Sequence, residues 1–367
     1  MKDRVFGLDL MRFVAIMLVV VGHGSSLIQS IPEASRIVSY VDFLGVEIFF
    51  VLSGFLIGSI LINLFEKENI GIGVIRNFWA RRWWRTMPNY FLFLLVNYIG
   101  FLLLKPDFNF DWKFLVFSQN LYYLPENFFS VSWSLAVEEW FYLLIPLIVW
   151  LFFAGIPNLK YSFLISVIFF IAIATIYRFF YIYFSDPHWN EELRRVVVFR
   201  LDSLIYGVVG AIFKFYWPKV FQRMKYVGLN LGVFLLVFAI FLRFDEGLND
   251  SILKRTVLFP IISIAFLFCL PWLSSLKNVG EGFFTKIITN VSIWSYSLYL
   301  IHVPLMDALS YVFKGYLGKG VFFDVFVFLF WIGFSIVLSM VNYIYFEKPF
   351  TNFRDIRWSS VVMRRAA

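Results

Sequence analysis

Leu8-Asp-Leu-Met-Arg12-Phe-Val-Ala-Ile-Met-Leu-Val-Val-Val-Gly-His23-Gly24 is apolar enough to enter a bilayer, yet it carries Asp9, Arg12 and His23. Arg12 and His23 are eleven positions apart. In a helix that is three turns plus about 20°, so both side chains share one face, about 16 Å apart along the axis. Ionisable groups at membrane depth are costly and face protein or a wet cavity. Two readings stand side by side. In one, the helix is a wall of a reaction chamber, with a fixed cation near one end and a titratable imidazole deeper in. In the other, Arg12 snorkels and pairs with Asp9, and His23 rests at the far interface.

Working outward, the composition supports a membrane setting. The 367 residues are 61% hydrophobic and 22% aromatic, with a mean hydropathy of +0.79. Soluble domains sit near half apolar, so the chain reads as an all-α polytopic membrane protein. The basic start before Leu8 resembles a signal peptide, but no small-x-small cleavage site follows and Arg12 interrupts the apolar run, so the stretch reads as a retained anchor. The single cysteine, Cys269, excludes an intramolecular disulfide and a multi-cysteine metal site. The formal charge of +8 is spread over loops and has a topological cause, so no nucleic-acid partner is expected.

Hydropathy predicts about ten transmembrane helices, at roughly 8–27, 41–64, 89–104, 133–154, 161–184, 200–216, 226–243, 256–274, 289–307 and 321–345. One membrane domain, 1–350, and a short basic tail, 351–367, account for the chain. With the N-terminus inside, the inner segments carry about 19 Lys and Arg residues and the outer ones about 11. Both termini are therefore expected in the cytoplasm, with Arg12 near the inner end of the first span and His23 toward the outer half.

Other spans carry further polar positions. In Gly45-Val-Glu47-Ile-Phe-Phe-Val-Leu-Ser53-Gly54-Phe-Leu-Ile-Gly58, the small residues form a close-packing face. Ser53 is assigned to packing rather than to nucleophilic chemistry, and Glu47 needs a partner or water. The loop ending Arg81-Arg82-Trp-Trp-Arg85-Thr-Met-Pro88 is either an ordinary positive-inside belt or a cytoplasmic anion site. The aromatic outer segment 105–132 leads into Ser132-Trp-Ser-Leu-Ala-Val-Glu138-Glu139. These carboxylates satisfy a helix N-terminus or serve as acid/base partners, and position alone does not decide. Arg200, Asp202, Tyr299 and His302 lie toward the outer face and are acceptor-side candidates. His188 reads as a solvated loop residue.

Together these stretches resemble the acyltransferase 3 family of bacterial integral-membrane acyltransferases. The matching residues are Leu8-Asp-Leu-Met-Arg12 with His23, Gly45-Val…Phe49-Phe50-Val…Ser53-Gly54-Phe55, Arg82…Arg85…Pro88, Trp133-Ser-Leu-Ala-Val-Glu138, Arg200…Gly207, Tyr296-Ser-Leu-Tyr-Leu-Ile-His302 and Phe346-Glu-Lys-Pro349. Some relatives carry a C-terminal esterase-like domain; only the membrane domain is expected here. The resemblance implies transfer of an acyl group, by default acetyl, from cytoplasmic acyl-coenzyme A to a hydroxyl of a cell-surface glycan or lipid-linked sugar. It implies His23 as general base, with Glu138 orienting it or positioning the acceptor. Arg12, Arg82 and Arg85 would hold the coenzyme A phosphates. Direct transfer is the first choice and a transient acyl-histidine the second. No metal and no tightly bound cofactor are expected; partners are acyl-coenzyme A, the sugar acceptor and membrane lipids, in the bacterial inner membrane. The competing reading is a transporter or flippase of lipid-linked saccharides, which would not cleave a thioester.

Overall fold

The computed structural model describes residues 4–123, 128–244, 246–277, 280 and 282–354. Residues 124–127 of the outer segment and 355–367 of the basic tail lie outside the described residues. The described chain is helical, with no strand. Its α-helices are α1 Phe6–His23, α2 Pro32–Lys67, α3 Ile72–Leu104, α4 Ser132–Gly155, α5 Leu159–Ser185, α6 Leu201–Tyr216, α7 Pro218–Phe244, α8 Ile252–Ser275, α9 Phe283–Val312 and α10 Val321–Asn342. Each apolar run expected to span therefore corresponds to a helix. Among the described residues, eight segments are long and apolar enough to cross a membrane; the sixteen-residue α6 and the Ser-rich α9 do not meet that measure.

One boundary differs in kind. The stretch Arg81–Pro88, read as the end of a loop, lies inside the 33-residue α3, with Pro88 in the helix. Arg and Trp are compatible with helix, so a run of charge marks the edge of the apolar segment and not the end of the hydrogen-bonded ladder. Two helix starts carry a side-chain cap. Asn158 accepts from Tyr161 N at the start of α5, and Ser251 accepts from Lys254 N at the start of α8.

The chain divides into two compact units. The first comprises Met1–Arg12, Glu47–Ile75 and Asp111–Glu281. In it α7 and α8 form the most extensive pair, and α5, α6 and α8 pack on one another. The later part of α2 crosses α6 at glycines. A Cβ on Gly54 would lie 1.8 Å from Leu204 O, and one on Gly207 would lie 2.0 Å from Val51 O. Only glycine permits that approach, which is the small-residue contact expected of this face.

The second unit comprises Phe13–Val46, Arg76–Phe110 and Gly282–Ala367. Here α9 packs along α10, and α10 meets the short 3-10 turn Gly24–Leu27 that follows His23. A polar cluster holds this unit together internally. Ser297 donates to Glu347 at 2.7 Å, and Asn342 donates to Asn89 and to Ser297 at 2.9 Å each. Asn89, Ser297 and Glu347 are buried, so each bond replaces water that the interior lacks.

Candidate functional site

Within the second unit, α1 ends on His23 and α9 brings His302 against it. His302 is fully buried, whereas His23 is half-buried. His302 Nε2 lies 3.3 Å from His23 Nδ1, and the ring centroids are 5.0 Å apart with planes at 63°. Each imidazole also turns back on its own helix. His23 Nδ1 lies 2.9 Å from Val19 O, and His302 Nδ1 lies 3.0 Å from Leu298 O. The backbone of α9 is fastened at this point by Trp331, whose indole N–H donates to His302 O at 2.9 Å. Tyr299 lies beside His302, with centroids 5.8 Å apart.

These contacts assign the tautomers. A carbonyl can only accept, so in neutral His302 the proton sits on Nδ1 and Nε2 holds a lone pair. That lone pair faces His23 Nδ1, which must then carry a proton shared between His302 Nε2 and Val19 O. By elimination the lone pair of neutral His23 is on Nε2. The arrangement has the form of a base with its orienting partner: one nitrogen accepts a proton while the other is held by a hydrogen-bond acceptor.

The same unit carries Arg82 and Arg85 on α3. Tyr296 of α9 donates to Thr86 O at 2.8 Å, fastening α3 beside these arginines. The five-residue π-helical segment Tyr343–Glu347 carries Glu347 at its end.

The first unit contains the remaining expected residues. Asp9 accepts from Arg4 Nε at 3.0 Å and lies 3.7 Å from Arg12 Nη1. The Asp9–Arg12 pairing expected of a snorkelling arginine is therefore present. Glu138 uses both oxygens: Ser53 donates to Oε1 at 3.0 Å and Tyr142 to Oε2 at 2.7 Å. Ser53, assigned to packing alone, therefore also serves a carboxylate. The segment before α4 is tied down by Asn120, which donates to Trp133 O at 3.0 Å and to Arg195 O at 2.6 Å, and by Trp140, which donates to Phe117 O at 2.9 Å.

Arg200 and Asp202 stand at the start of α6, both fully buried. Arg200 Nη2 donates to both oxygens of Glu47 at 2.6 Å and to Ser203 Oγ at 2.9 Å. Its guanidinium lies 3.8 Å from the centroid of Phe259. Arg178 of α5 pairs with Asp202 at 2.5 Å and donates to Phe199 O and Thr256 O. Glu47 thus has the partner its place in an apolar run demanded. Arg178 was not among the expected site residues; a single arginine amid the apolar residues of α5 is the signal in the sequence that marks it. Two buried cations and two buried anions cancel, and loss of one member leaves an uncompensated charge. Among the described residues, no three His, Cys, Asp or Glu side chains gather as metal ligands do.

Comparison with known proteins bears on what this arrangement serves. A family model described as an acyltransferase domain, acyltransferase 3, matches residues 5–342. A Staphylococcus aureus (strain MRSA252) protein, named provisionally as an O-acetyltransferase, is 27% identical over 386 residues, covering 96% of this chain and 59% of the relative. The O-acetyltransferase OatA of Staphylococcus aureus (strain NCTC 8325 / PS 47) is 26% identical over 367 residues, covering 94% of this chain and 56% of OatA. The chain thus spans less than two thirds of these relatives' length. No solved structure matches it significantly. A match over nearly the whole chain, on a bundle of apolar helices, supports one conclusion: the chain belongs to the acyltransferase 3 family.

Proposed function

We propose that the protein transfers an acyl group, acetyl by analogy with relatives named O-acetyltransferases, from acyl-coenzyme A to a hydroxyl of a cell-surface glycan or lipid-linked sugar. The observation that carries this reading is the contact between His23 and His302. The acceptor hydroxyl attacks the thioester carbonyl as His23 Nε2 takes its proton. A new C–O bond forms. The C–S bond then breaks, and the imidazolium returns the proton to the departing thiolate. An ester and free coenzyme A result. Positioned proton transfer of this kind is worth typically 10²–10⁴-fold.

His302 is assigned to positioning and is no longer an acceptor ligand in this reading. Its Nε2 accepts from His23 Nδ1 and steadies the positive charge that His23 gains. Glu138, held by Ser53 and Tyr142, is assigned to the acceptor side. Arg12, Arg82 and Arg85 are assigned to the coenzyme A phosphates, for which guanidinium forks are suited. The single cysteine, Cys269, is buried in α8, which favours direct transfer over a thioester on the protein. The family points to the bacterial cytoplasmic membrane, and the loop charges put the donor end inside.

The experiment is release of coenzyme A thiol by the purified protein, supplied with acetyl-coenzyme A and a surface oligosaccharide. Acceptor-dependent release that falls at least 100-fold in His23→Ala, with the variant inserted normally, is the expected outcome. Saccharide movement without thioester cleavage would instead identify a transporter. Undiminished release by His23→Ala would remove His23 from the chemistry.

A further inference from the structure

A cavity of about 490 Å³ opens in the first unit where the end of α6, the start of α7 and the end of α8 meet. Lys214, Lys225 and Lys277 line it, with Gln222, Ser274 and Ser275. Phe221 and Pro271 supply an apolar part of the wall. Among the described residues, no carboxylate lines it. Lys214 and Lys277 thus bring like charges to one concavity. The buried Ser274 hydroxyl makes no hydrogen bond among the described residues. An arrangement that concentrates like charge around a concavity is relieved when an anion enters it.

The cavity also has a defined place in its unit. Gly7, in the first turn of α1, donates its N–H to Leu276 O at 3.0 Å, and a Cβ there would lie 1.9 Å from Leu273 O. The segment that α1 touches, Leu273–Leu276, thus contains Ser274 and Ser275 of the cavity wall. The lysines therefore gather at the end of the unit that holds the start of α1, Asp9 and Arg12. The loop charges assign that end to the cytoplasm.

We propose that this cavity binds a phosphorylated anion. Three ammonium groups, a side-chain amide and two hydroxyls match the oxygens of a phosphate ester. The volume lies within the 300–1,000 Å³ typical of ligand sites and exceeds what one inorganic phosphate fills. The apolar wall suits a ligand in which the phosphate is joined to a ring or an acyl-glycerol. Two sources present that chemistry here: the phosphorylated adenosine of coenzyme A, and the headgroup of an anionic phospholipid. The first source rests on the acyl-coenzyme A reading above, whereas the phosphate assignment does not.

The test uses the full chain in phosphatidylcholine nanodiscs and reads binding, not turnover. One arm titrates adenosine 3′,5′-bisphosphate by calorimetry. The other adds phosphatidylglycerol and measures the lipid retained on the protein by native mass spectrometry. The paired variant Lys214→Gln with Lys277→Gln is compared with Lys219→Gln with Arg223→Gln, which removes equal charge from the neighbouring stretch of α7 without touching the cavity wall. Loss of two charge-assisted contacts should weaken binding about tenfold or more, while the control pair changes it less than about threefold. A selective loss in the nucleotide arm makes the cavity part of the donor site, and a selective loss in the lipid arm makes it a lipid site. Equal losses in both variant pairs, or no loss in either arm, overturn the proposal. Coenzyme A release, measured as above, tests the acyl-transfer reading separately from these binding arms.

Discussion

Replacing His302 with leucine changes little volume and removes two contacts, the Nε2 acceptor that faces His23 and the Nδ1 donor to Leu298 O, of which only the first reaches His23. The bond at stake is His23 Nδ1 to His302 Nε2, at 3.3 Å. It becomes charge-assisted when His23 takes the acceptor's proton. Hydrogen bonds to charged groups contribute about 1.5–3 kcal/mol, and the long distance places this one at the lower end. The Val19 carbonyl stays 2.9 Å from the same nitrogen, so the tautomer of His23 survives the substitution. Only the stabilisation of the charged form is lost. At 1.36 kcal/mol per factor of ten, His302→Leu should lower kcat about tenfold and leave KM for acyl-coenzyme A nearly unchanged. His302→Gln presents an amide oxygen at about the same reach and should recover most of that loss. The assay is steady-state coenzyme A release by protein that elutes as a single species in detergent. Two results would refute the reasoning: an unchanged kcat in His302→Leu, or a Gln variant as slow as the Leu variant despite equal folding. Loss as deep as that of His23→Ala would mean that His302 acts on the substrate directly.

Other expectations concern stability, packing, the donor site and sidedness. Arg178→Met alone strands Asp202 in the interior and should cost about 3–5 kcal/mol, whereas Arg178→Met with Asp202→Leu should be much less harmful, as thermal melting in detergent would register. Gly54→Ala forces a methyl into Leu204 O and should abolish insertion of folded protein; Gly100→Ala, where nothing lies within 4 Å, should express normally. Calorimetry with acyl-coenzyme A should rank Arg85→Ala below Arg85→Lys, because lysine keeps the charge and loses the fork; equal, unchanged affinities would move the donor site elsewhere. In a Cys269→Ala background, a membrane-impermeant thiol reagent should label Tyr122→Cys in intact cells and label Asn77→Cys only after lysis; the opposite pattern would invert the topology.

The apolar runs, their approximate ends and the helical class of the protein were legible in the sequence, because transfer from water to lipid depends mainly on local composition. The shared face of Gly54 and Gly58 was legible for a similar reason: helical period places residues four apart on one side. Glu47 could be said to need a partner, but the choice of Arg200, 153 positions away, could not be read. The same holds for His23 and His302, separated by 279 positions. Which residues of two distant helices meet depends on the rotation and depth at which each helix packs. Those are set by the fit of many side chains, such as the glycine crossing at Gly54 and Gly207, and no local pattern contains them. Ser53 shows the limit in one residue. Its small size and its neighbours announced close packing, and only the position of α4 decided that its hydroxyl would also hold Glu138.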